Sequence, residues 1–148
     1  YGNPYKWANH SETPFTKPKK SLKDSTVCII TTAAPFKSGA GDQGPRAPYN
    51  AAAKFYKVYS HPSSLDQFLG ISHLGYDRSY STAEDINSFF PMRALFELAK
   101  AGEIRDVSPR YYGAPTNRSQ ETTIQIDCES ILELVIEDEV DLAILVAN

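Results

Sequence analysis

Short apolar runs separated by polar turns divide this chain into predicted strands and helices that alternate along its length. Residues 26–32 form a continuous apolar and β-branched run, typical of a strand that is covered on both faces. Residues 142–146 form a second run of this kind, and we expect it to be buried as well. Shorter strands are predicted within residues 54–60, 68–74 and 104–112, the last kept short or near an edge by Pro109.

A first helix is predicted after residue 88. Ser88 is expected to cap it, Pro91 suits its first turn, and Gly102 is expected to end it. One apolar stripe with helical spacing marks its inner face, consisting of Met92, Leu95, Phe96 and Ala99.

A second helix is predicted from residue 127 onward. Asp127 is expected to cap it, and for residues 120–126, which continue from the loop 113–119, a short helix is favoured over a strand. Its acidic positions are expected to face water at Glu129, Glu133 and Glu137. Its inner face is expected to hold Cys128, Ile131, Leu132, Val135 and Ile136.

This alternation predicts an α/β fold, a mostly parallel sheet with flanking helices in Rossmann-like or flavodoxin-like layers. Residues 1–24 are rich in aromatics and proline and are expected to form an extended N-terminal arm. Residues 25–148 are expected to form a single α/β domain. Because the sole methionine is Met92 and the chain stops directly after an apolar run, we expect this domain to be incomplete at its C-terminus.

The distribution of charge excludes some partners. The 148 residues carry a net charge of −3, but residues 1–60 hold nine basic and three acidic residues, whereas residues 61–148 hold six basic and fifteen acidic ones. From Glu121 onward there are eight acids and no base, which argues against a nucleic-acid surface there. The basic residues 17–23 lie among prolines and are interpreted as a solvated linker. No apolar run approaches the length of a membrane span, so we expect a soluble, cytoplasmic protein without a nucleic-acid or membrane partner.

The cysteines and histidines do not form a metal motif. Cys28 and Cys128 are not part of a CxxC pair, and both are interpreted as small core residues in a protein of a reducing compartment. His10, His61 and His73 lack the spacing of metal ligands. We therefore expect no metal site.

A glycine-rich loop follows the first strand. Gly39, Gly41 and Gly44 fit GxGxxG, but Pro45 follows where the dinucleotide fingerprint needs a helix, so dinucleotide binding is only a weak alternative. Ligands of open α/β sheets bind beyond the carboxyl ends of the strands, and this loop is such a place. Asp42 in this loop is a candidate substrate-binding residue.

The densest group of reactive side chains lies in residues 72–87. His73 and Asp77 could meet across a turn after the predicted strand 68–74, where the carboxylate would orient the imidazole as a general base. The alternative is a surface histidine beside an Asx turn, and local chemistry does not separate the two. Asp85 and Asn87 extend this group toward a polar pocket.

A second polar turn lies at residues 113–119. Asn117 offers an amide and Arg118 a planar cation, which together suit a carboxylate-bearing substrate. The alternative is that this turn only caps the next helix and that Arg118 is solvated.

Several separated motifs occur together in one order along the chain. They are Thr31 to Phe36, Gly41 to Pro45, Ile71 to Arg78, Glu84 to Pro91, Leu95 to Ile104 and Ala114 to Ser119. With them the sequence resembles the component B family of glycine, sarcosine and betaine reductases, which includes the selenoprotein subunit of D-proline reductase.

The resemblance implies an oxidoreductase that reductively cleaves a carbon–nitrogen bond of a small amino-acid-like substrate. It further implies other reductase subunits or a homo-oligomer, a pyruvoyl group on a partner subunit, and a reactive cysteine or selenocysteine beyond Asn148, since neither Cys28 nor Cys128 matches that motif. No cofactor is expected in this chain itself. The residues expected at the wall of the site are Asp42, His73, Asp77, Asp85, Asn87, Asn117 and Arg118. The alternatives are a non-catalytic binding or assembly module of the same fold and a nucleotide-binding oxidoreductase.

Overall fold

A central strand organises the sheet. The computed structural model describes residues 11–12, 15–35, 57–66, 69–70, 79–80, 85–115 and 119–147. β1 (Thr26–Thr31) pairs in parallel with three later strands: β5 (Asp106–Val107), β6 (Arg110–Gly113) and β7 (Leu142–Val146). Because Val27 pairs with residues of both β5 and β7, β7 lies on the edge of β1 opposite to β5 and β6.

The remaining strands are antiparallel. β3 (Tyr59–Pro62) pairs with β6 on its outer side, and β2 (Ala34–Pro35) forms a separate small pair with β4 (Leu69–Gly70). Single 3₁₀ turns occupy Leu22–Asp24 and Ile86–Ser88. The sheet is thus mixed, with parallel pairing at its centre.

Helices cover both faces of the sheet. α1 (Met92–Lys100) lies on one face, and α2 (Gln120–Thr122) continues through a π-helical turn (Thr123–Asp127) into α3 (Cys128–Glu137). Val27 and Ile29 of β1 pack in one core cluster with the buried residues of α1, whereas Cys28 packs with Ile131 of α3. Alternate side chains of a strand point to opposite faces, so α1 and α3 lie on opposite sides of β1. The α/β prediction is confirmed at this level.

The end of α1 agrees with the sequence, but its beginning does not. Gly102 adopts φ +73°, and its N–H donates to the carbonyl of Ala99 at 3.0 Å, as glycine at a helix C-terminus commonly does. Ser88 does not cap the helix. It lies in the preceding 3₁₀ turn, where its hydroxyl donates to the carbonyl of Asp85 at 2.7 Å, and Pro91 stands at the N-cap position of α1.

The second helix begins earlier than predicted. Ser119 is its cap, and the Ser119 hydroxyl accepts a hydrogen bond from the N–H of Thr122 at 3.2 Å. The favoured short helix after residue 119 is therefore confirmed. Asp127 is not a cap, because it has helical backbone angles, is buried and makes no side-chain cap hydrogen bond.

Burial around α3 and β7 differs from the prediction. Ile131 is buried and Val135 is partly buried, but Cys128, Leu132 and Ile136 are exposed. β7 forms where predicted, yet its residues are only half-buried or exposed. The acidic positions Glu129, Glu133 and Glu137 face water as expected.

Two strand boundaries also change. Residues 57–58 of the predicted strand 54–60 are not part of a strand, and β3 runs instead from Tyr59 to Pro62. The strand predicted within 104–112 is divided into β5 and β6 around Ser108 and Pro109, because proline cannot donate to a ladder. The described part of the N-terminal arm, residues 11–12 and 15–24, contains no strand and only the 3₁₀ turn Leu22–Asp24, and its role as an arm stays a prediction.

Candidate functional site

The carboxyl ends of three strands lie level with one another. Thr31 at the end of β1 pairs with Gly113 at the end of β6 and with Val146 at the end of β7. In open α/β sheets, ligands bind outside this edge, beside the strands where chain connections diverge. This carboxyl edge is therefore the part of the described fold where a site is expected.

Five of the predicted site residues lie outside the residues that the structure describes: Asp42, His73, Asp77, Asn117 and Arg118. Along the chain, each follows a described strand. Asp42 follows β2, the pair His73 and Asp77 follows β4, and Asn117 with Arg118 follows β6. Their roles stay predictions.

Tyr59 ties the strands together at the carboxyl edge. Its hydroxyl donates to the carbonyl of Ala33, just beyond β1, while its ring lies directly over Gly113 at the end of β6. A Cβ at Gly113 would fall deep inside van der Waals contact with the ring atoms Cε1 and Cζ of Tyr59. The chain approaches the ring so closely only because residue 113 is glycine.

An aromatic cluster holds the Tyr59 ring in place. The Tyr111 ring meets Tyr59 edge-on at 6.5 Å between centroids and Phe90 at 4.8 Å, and His61 completes the group at 6.0 Å from Tyr111. Such edge-to-face pairs are favourable. Burial raises the pKa of the Tyr59 hydroxyl well above its usual range and that of Tyr111 to about 12. Tyr59 is thus protonated at neutral pH and serves as a donor.

Asp85 and Asn87 are the two predicted site residues that the structure describes. One carboxylate oxygen of Asp85, Oδ1, accepts from both the backbone N–H and the side-chain amide of Asn87, each at 2.9 Å. The backbone hydrogen bond, with the side-chain one, lowers the pKa of the exposed Asp85. Asp85 is thus the cap of the 3₁₀ turn, and it fixes the orientation of the Asn87 amide.

A small cavity lies beside this turn. Its volume is about 40 Å³, which is room for about one water molecule and too little for an amino acid. The neighbouring Ser63 hydroxyl is buried without a hydrogen-bond partner among the described residues. The cavity is lined by Ser64, Leu65, Ile86, Asn87, Phe90, Met92 and Arg93.

Two polar networks that the sequence did not reveal lie at the opposite, amino edge of the sheet. In the first, Asp141, which precedes β7, accepts the N–H of Thr26 at 2.9 Å and pairs with Lys20 at 2.7 Å. Arg105 donates to the hydroxyl of Thr26 and lies 3.8 Å from Asp141. The hydrogen bonds from Lys20 and Thr26 lower the pKa of Asp141. This network ties the beginning of β7 to that of β1.

The second network joins β6 to the end of α3. The Arg110 guanidinium donates to Asp138 at 2.8 and 2.9 Å and to Glu137 at 2.7 Å, and the Tyr112 hydroxyl donates to Asp138 at 2.5 Å. The hydrogen bonds from Arg110 hold the pKa of Asp138 below its usual range. Partial burial opposes this effect, and the hydrogen bond from Tyr112 adds to it. Because both networks lie away from the carboxyl edge, we interpret them as structural. The sequence signal for these networks was limited to acidic residues next to the predicted strand 142–146 and arginines within the predicted strand 104–112.

The two cysteines have different surroundings. Cys28 is buried in β1, and burial, with a contribution from Asp138, raises the pKa of its thiol to about 12, which disfavours the thiolate. Cys128 is free and exposed, so its prediction as a core residue is wrong, but it lies about two turns into the helix that begins at Gln120.

Within the described ranges, no three His, Cys, Asp or Glu side chains are grouped so that they could hold a metal ion. No helix in the described part of the chain has the length and apolar character that crossing a membrane requires.

Comparison with known proteins shows the family. A sequence model described as glycine/sarcosine/betaine reductase selenoprotein B matches residues 1–148. The chain belongs to the glycine/sarcosine/betaine reductase selenoprotein B family. The resemblance found in the sequence motifs is thereby confirmed.

A curated relative of this selenoprotein B family member is the D-proline reductase subunit gamma of Acetoanaerobium sticklandii. It is 34% identical over 98 residues, which are 66% of this chain and 36% of the relative. The matched region therefore spans about a third of that protein's length. No solved structure matches the chain significantly.

Proposed function

We propose that this selenoprotein B family chain forms part of a reductase that cleaves a carbon–nitrogen bond of a small amino-acid-like substrate, of the class of glycine, sarcosine, betaine or D-proline. Cleavage takes up two electrons, which a thiol-class reductant supplies, and two protons, giving a carbon–hydrogen bond and a free amine. The family match over the whole chain carries this proposal.

The substrate wall is proposed to lie at the carboxyl edge. The level ends of β1, β6 and β7 support this placement, because loops that follow parallel neighbouring strands converge there. In the proposal, Asn117 and Arg118 bind the substrate carboxylate, and Asp42, Asp85 and Asn87 contribute polar contacts. His73, oriented by Asp77, gives a proton to the departing amine nitrogen.

The proposal assigns the nucleophile to a cysteine or selenocysteine in polypeptide that follows β7, and the activating pyruvoyl group to a partner subunit. β7 is a parallel neighbour of β1 and ends at the same edge, so a residue following it would meet the proposed wall. The burial of Cys28 and the helical position of Cys128 support a source outside the described residues. The two free thiols suit a reducing, cytoplasmic setting with other reductase subunits.

The test is turnover of the intact reductase with His73→Ala and Arg118→Ala. We expect loss of about 10²-fold or more in kcat for His73→Ala, as for removal of a general acid, and chiefly a raised KM for Arg118→Ala. Arg118→Lys, which keeps the charge but loses the planar fork, should recover only part of the affinity. Lys100→Ala is the control, because Lys100 is an exposed residue at the end of α1 and is not among the proposed site residues. Unchanged turnover for both variants would contradict this site.

One observation favours a second candidate, a non-catalytic binding or assembly module. Cys28 is buried, and the raised pKa of its thiol disfavours the thiolate that a nucleophile needs. The sequence of the polypeptide after β7 in the intact gene separates the two: a cysteine or selenocysteine motif there favours the reductase, and its absence favours the module.

A further inference from the structure

Tyr59 reaches the ends of strands that its own strand does not all pair with. It belongs to β3, which pairs with β6 but not with β1 in the described part of the chain. Its ring lies over Gly113 at the end of β6, and its hydroxyl donates to the carbonyl of Ala33 just beyond β1. Burial raises the pKa of this hydroxyl, so it remains a donor at neutral pH. One side chain therefore contacts the chain where β1 and its neighbour β6 both leave the sheet.

Ala33 is held from both sides at this point. It is 1% exposed, and its N–H donates to the hydroxyl of Thr31 at 3.0 Å. One step earlier, the N–H of Ala114 donates to the carbonyl of Thr31 at 2.8 Å and joins the ends of β6 and β1. The chain that leaves β1 is thus fixed at its N–H by β1 and at its carbonyl by Tyr59 of β3.

The chain after Ala33 leads to the predicted proton donor. β2 begins at the next residue and pairs with β4. Leu69 of β4 packs in the same core cluster as Ala33, and Tyr59 packs against this cluster. His73 follows the end of β4 by three residues along the chain. A shift of the Ala33 carbonyl is therefore passed through β2 to the strand from which the His73 segment starts.

Gly113 leads to the predicted carboxylate-binding pair. Asn117 and Arg118 are the fourth and fifth residues after it. The next residue, Ser119, is fixed as the cap of α2. The ring of Tyr59, and not its hydroxyl, is the part that covers Gly113. The start of this loop thus depends on the ring, whereas the start of the His73 segment depends on the hydroxyl.

The core cluster around Tyr59 also supports the predicted polar turn. Ile86, which lies between Asp85 and Asn87, packs against the same cluster as Tyr59 does. This places the turn on the face of the sheet that α1 covers, where Ala33 also lies. The segments that carry the predicted site residues therefore start from one packed group.

We propose that Tyr59 is a positioning residue of the reductase site, whose hydroxyl, through the carbonyl of Ala33, holds the proton-donating His73 at a fixed distance from the carboxylate-binding loop. This role rests on the proposed function. Glycine, sarcosine, betaine and D-proline all carry their nitrogen on the carbon next to the carboxylate, so a substrate held at its carboxylate cannot follow a shifted proton donor. A misplacement of about 1 Å costs about 10²-fold in rate.

The test is a double-mutant cycle of Tyr59→Phe and His73→Ala in the intact reductase. Tyr59→Phe keeps the ring over Gly113 and removes the hydroxyl that donates to Ala33. We expect kcat to fall by about tenfold or more and KM to stay within about twofold, because the carboxylate-binding loop is unchanged. In the His73→Ala background, Tyr59→Phe should change kcat by less than about twofold, because the residue that it positions is absent.

Tyr112→Phe is the matched control. It also removes the hydroxyl of a buried tyrosine, but one that donates to Asp138 at 2.5 Å in the network at the amino edge. We expect it to lower the free energy of unfolding and to leave kcat and KM within about twofold of wild type.

Hydrogen exchange gives a second measurement that does not depend on turnover. In the intact reductase, the amides of β2 and β4 should exchange about fivefold faster in Tyr59→Phe than in wild type, since one hydrogen bond that holds Ala33 is lost. The amides of β7 should exchange at the wild-type rate. Unchanged exchange in β2 and β4 would contradict the coupling of Ala33 to β4.

The kinetic outcomes separate this role from the proposed function. A reduced kcat for His73→Ala with a wild-type kcat for Tyr59→Phe would overturn the positioning role alone. Equal effects of Tyr59→Phe in both backgrounds would also overturn it, because a general structural role is additive with the loss of His73. A wild-type kcat for His73→Ala would overturn the proposed site and the positioning role with it.

Discussion

Replacement of Gly113 by alanine gives a sharp test of the contact at the carboxyl edge. The new methyl group would overlap Cε1 and Cζ of Tyr59, and carbon atoms in contact need about 3.5–4.0 Å. The ring would have to withdraw by roughly 1 Å or more, which also breaks the hydrogen bond of its hydroxyl to the carbonyl of Ala33. Overpacking costs about 1–3 kcal/mol and a lost hydrogen bond about 1 kcal/mol. We expect Gly113→Ala to lower the free energy of unfolding by about 2–3 kcal/mol.

The measurement is urea unfolding followed by circular dichroism, with the free energy taken from linear extrapolation. In a Tyr59→Ala background the overlap is gone, and Gly113→Ala should be neutral or slightly stabilising, because alanine loses less backbone entropy than glycine. Gly102→Ala is the matched control. Nothing lies within 4 Å of a Cβ there, so its cost of about 1 kcal/mol comes from φ +73° and should not depend on Tyr59. A Gly113→Ala variant within about 0.5 kcal/mol of wild type, or equal effects in both backgrounds, would refute the steric reasoning.

Three further outcomes are expected. Because Arg110 holds the pKa of Asp138 low, the stability from this pair is present above about pH 4 and is lost as the pH falls through the folded-state pKa of Asp138. Arg110→Met should therefore lower the free energy of unfolding by about 1–2 kcal/mol at pH 7 and by less at pH 3. Unfolding experiments at both pH values measure this difference. Ser119→Ala removes the helix cap and should cost about 1 kcal/mol in the same assay. With Ellman's reagent at pH 8, Cys128 should react at once and Cys28 only on unfolding, and two rapid thiols in the native protein would contradict the burial of Cys28.

Much of the fold could be predicted because its signals are local. The unbroken apolar run of β1 and the glycine after α1 each act through their own backbone, and both elements form where the pattern places them. The boundaries of the second helix were harder to predict. Ser119 and Asp127 are both good capping residues, and the π turn that carries the helix past Asp127 leaves no signal in composition.

Burial and long-range contacts could not be predicted in this way. The apolar residues Leu132 and Ile136 predict a buried helix face, but both side chains are exposed in the described part of the chain. The network of Arg110 and Asp138 depends on which strand starts lie together, and this follows only from the strand order. Of the residues predicted at the candidate site, the structure describes Asp85 and Asn87 and shows a capping contact between them, and their role in binding stays a prediction.

The position of β1 has a consequence for how the protein is made. β1 is complete as a central strand only when β7 pairs with it, and Thr26 and Asp141, which close that pairing, are 115 positions apart. A ribosome therefore releases β1, β6 and both their covering helices before the second neighbour of β1 exists. Strand pairings so distant in sequence form slowly, and an apolar strand that waits with an open edge is prone to self-association. The edge of β1 that β7 will cover is therefore open on the nascent chain until residue 146 has emerged, and slowing translation before β7 should lower the soluble yield.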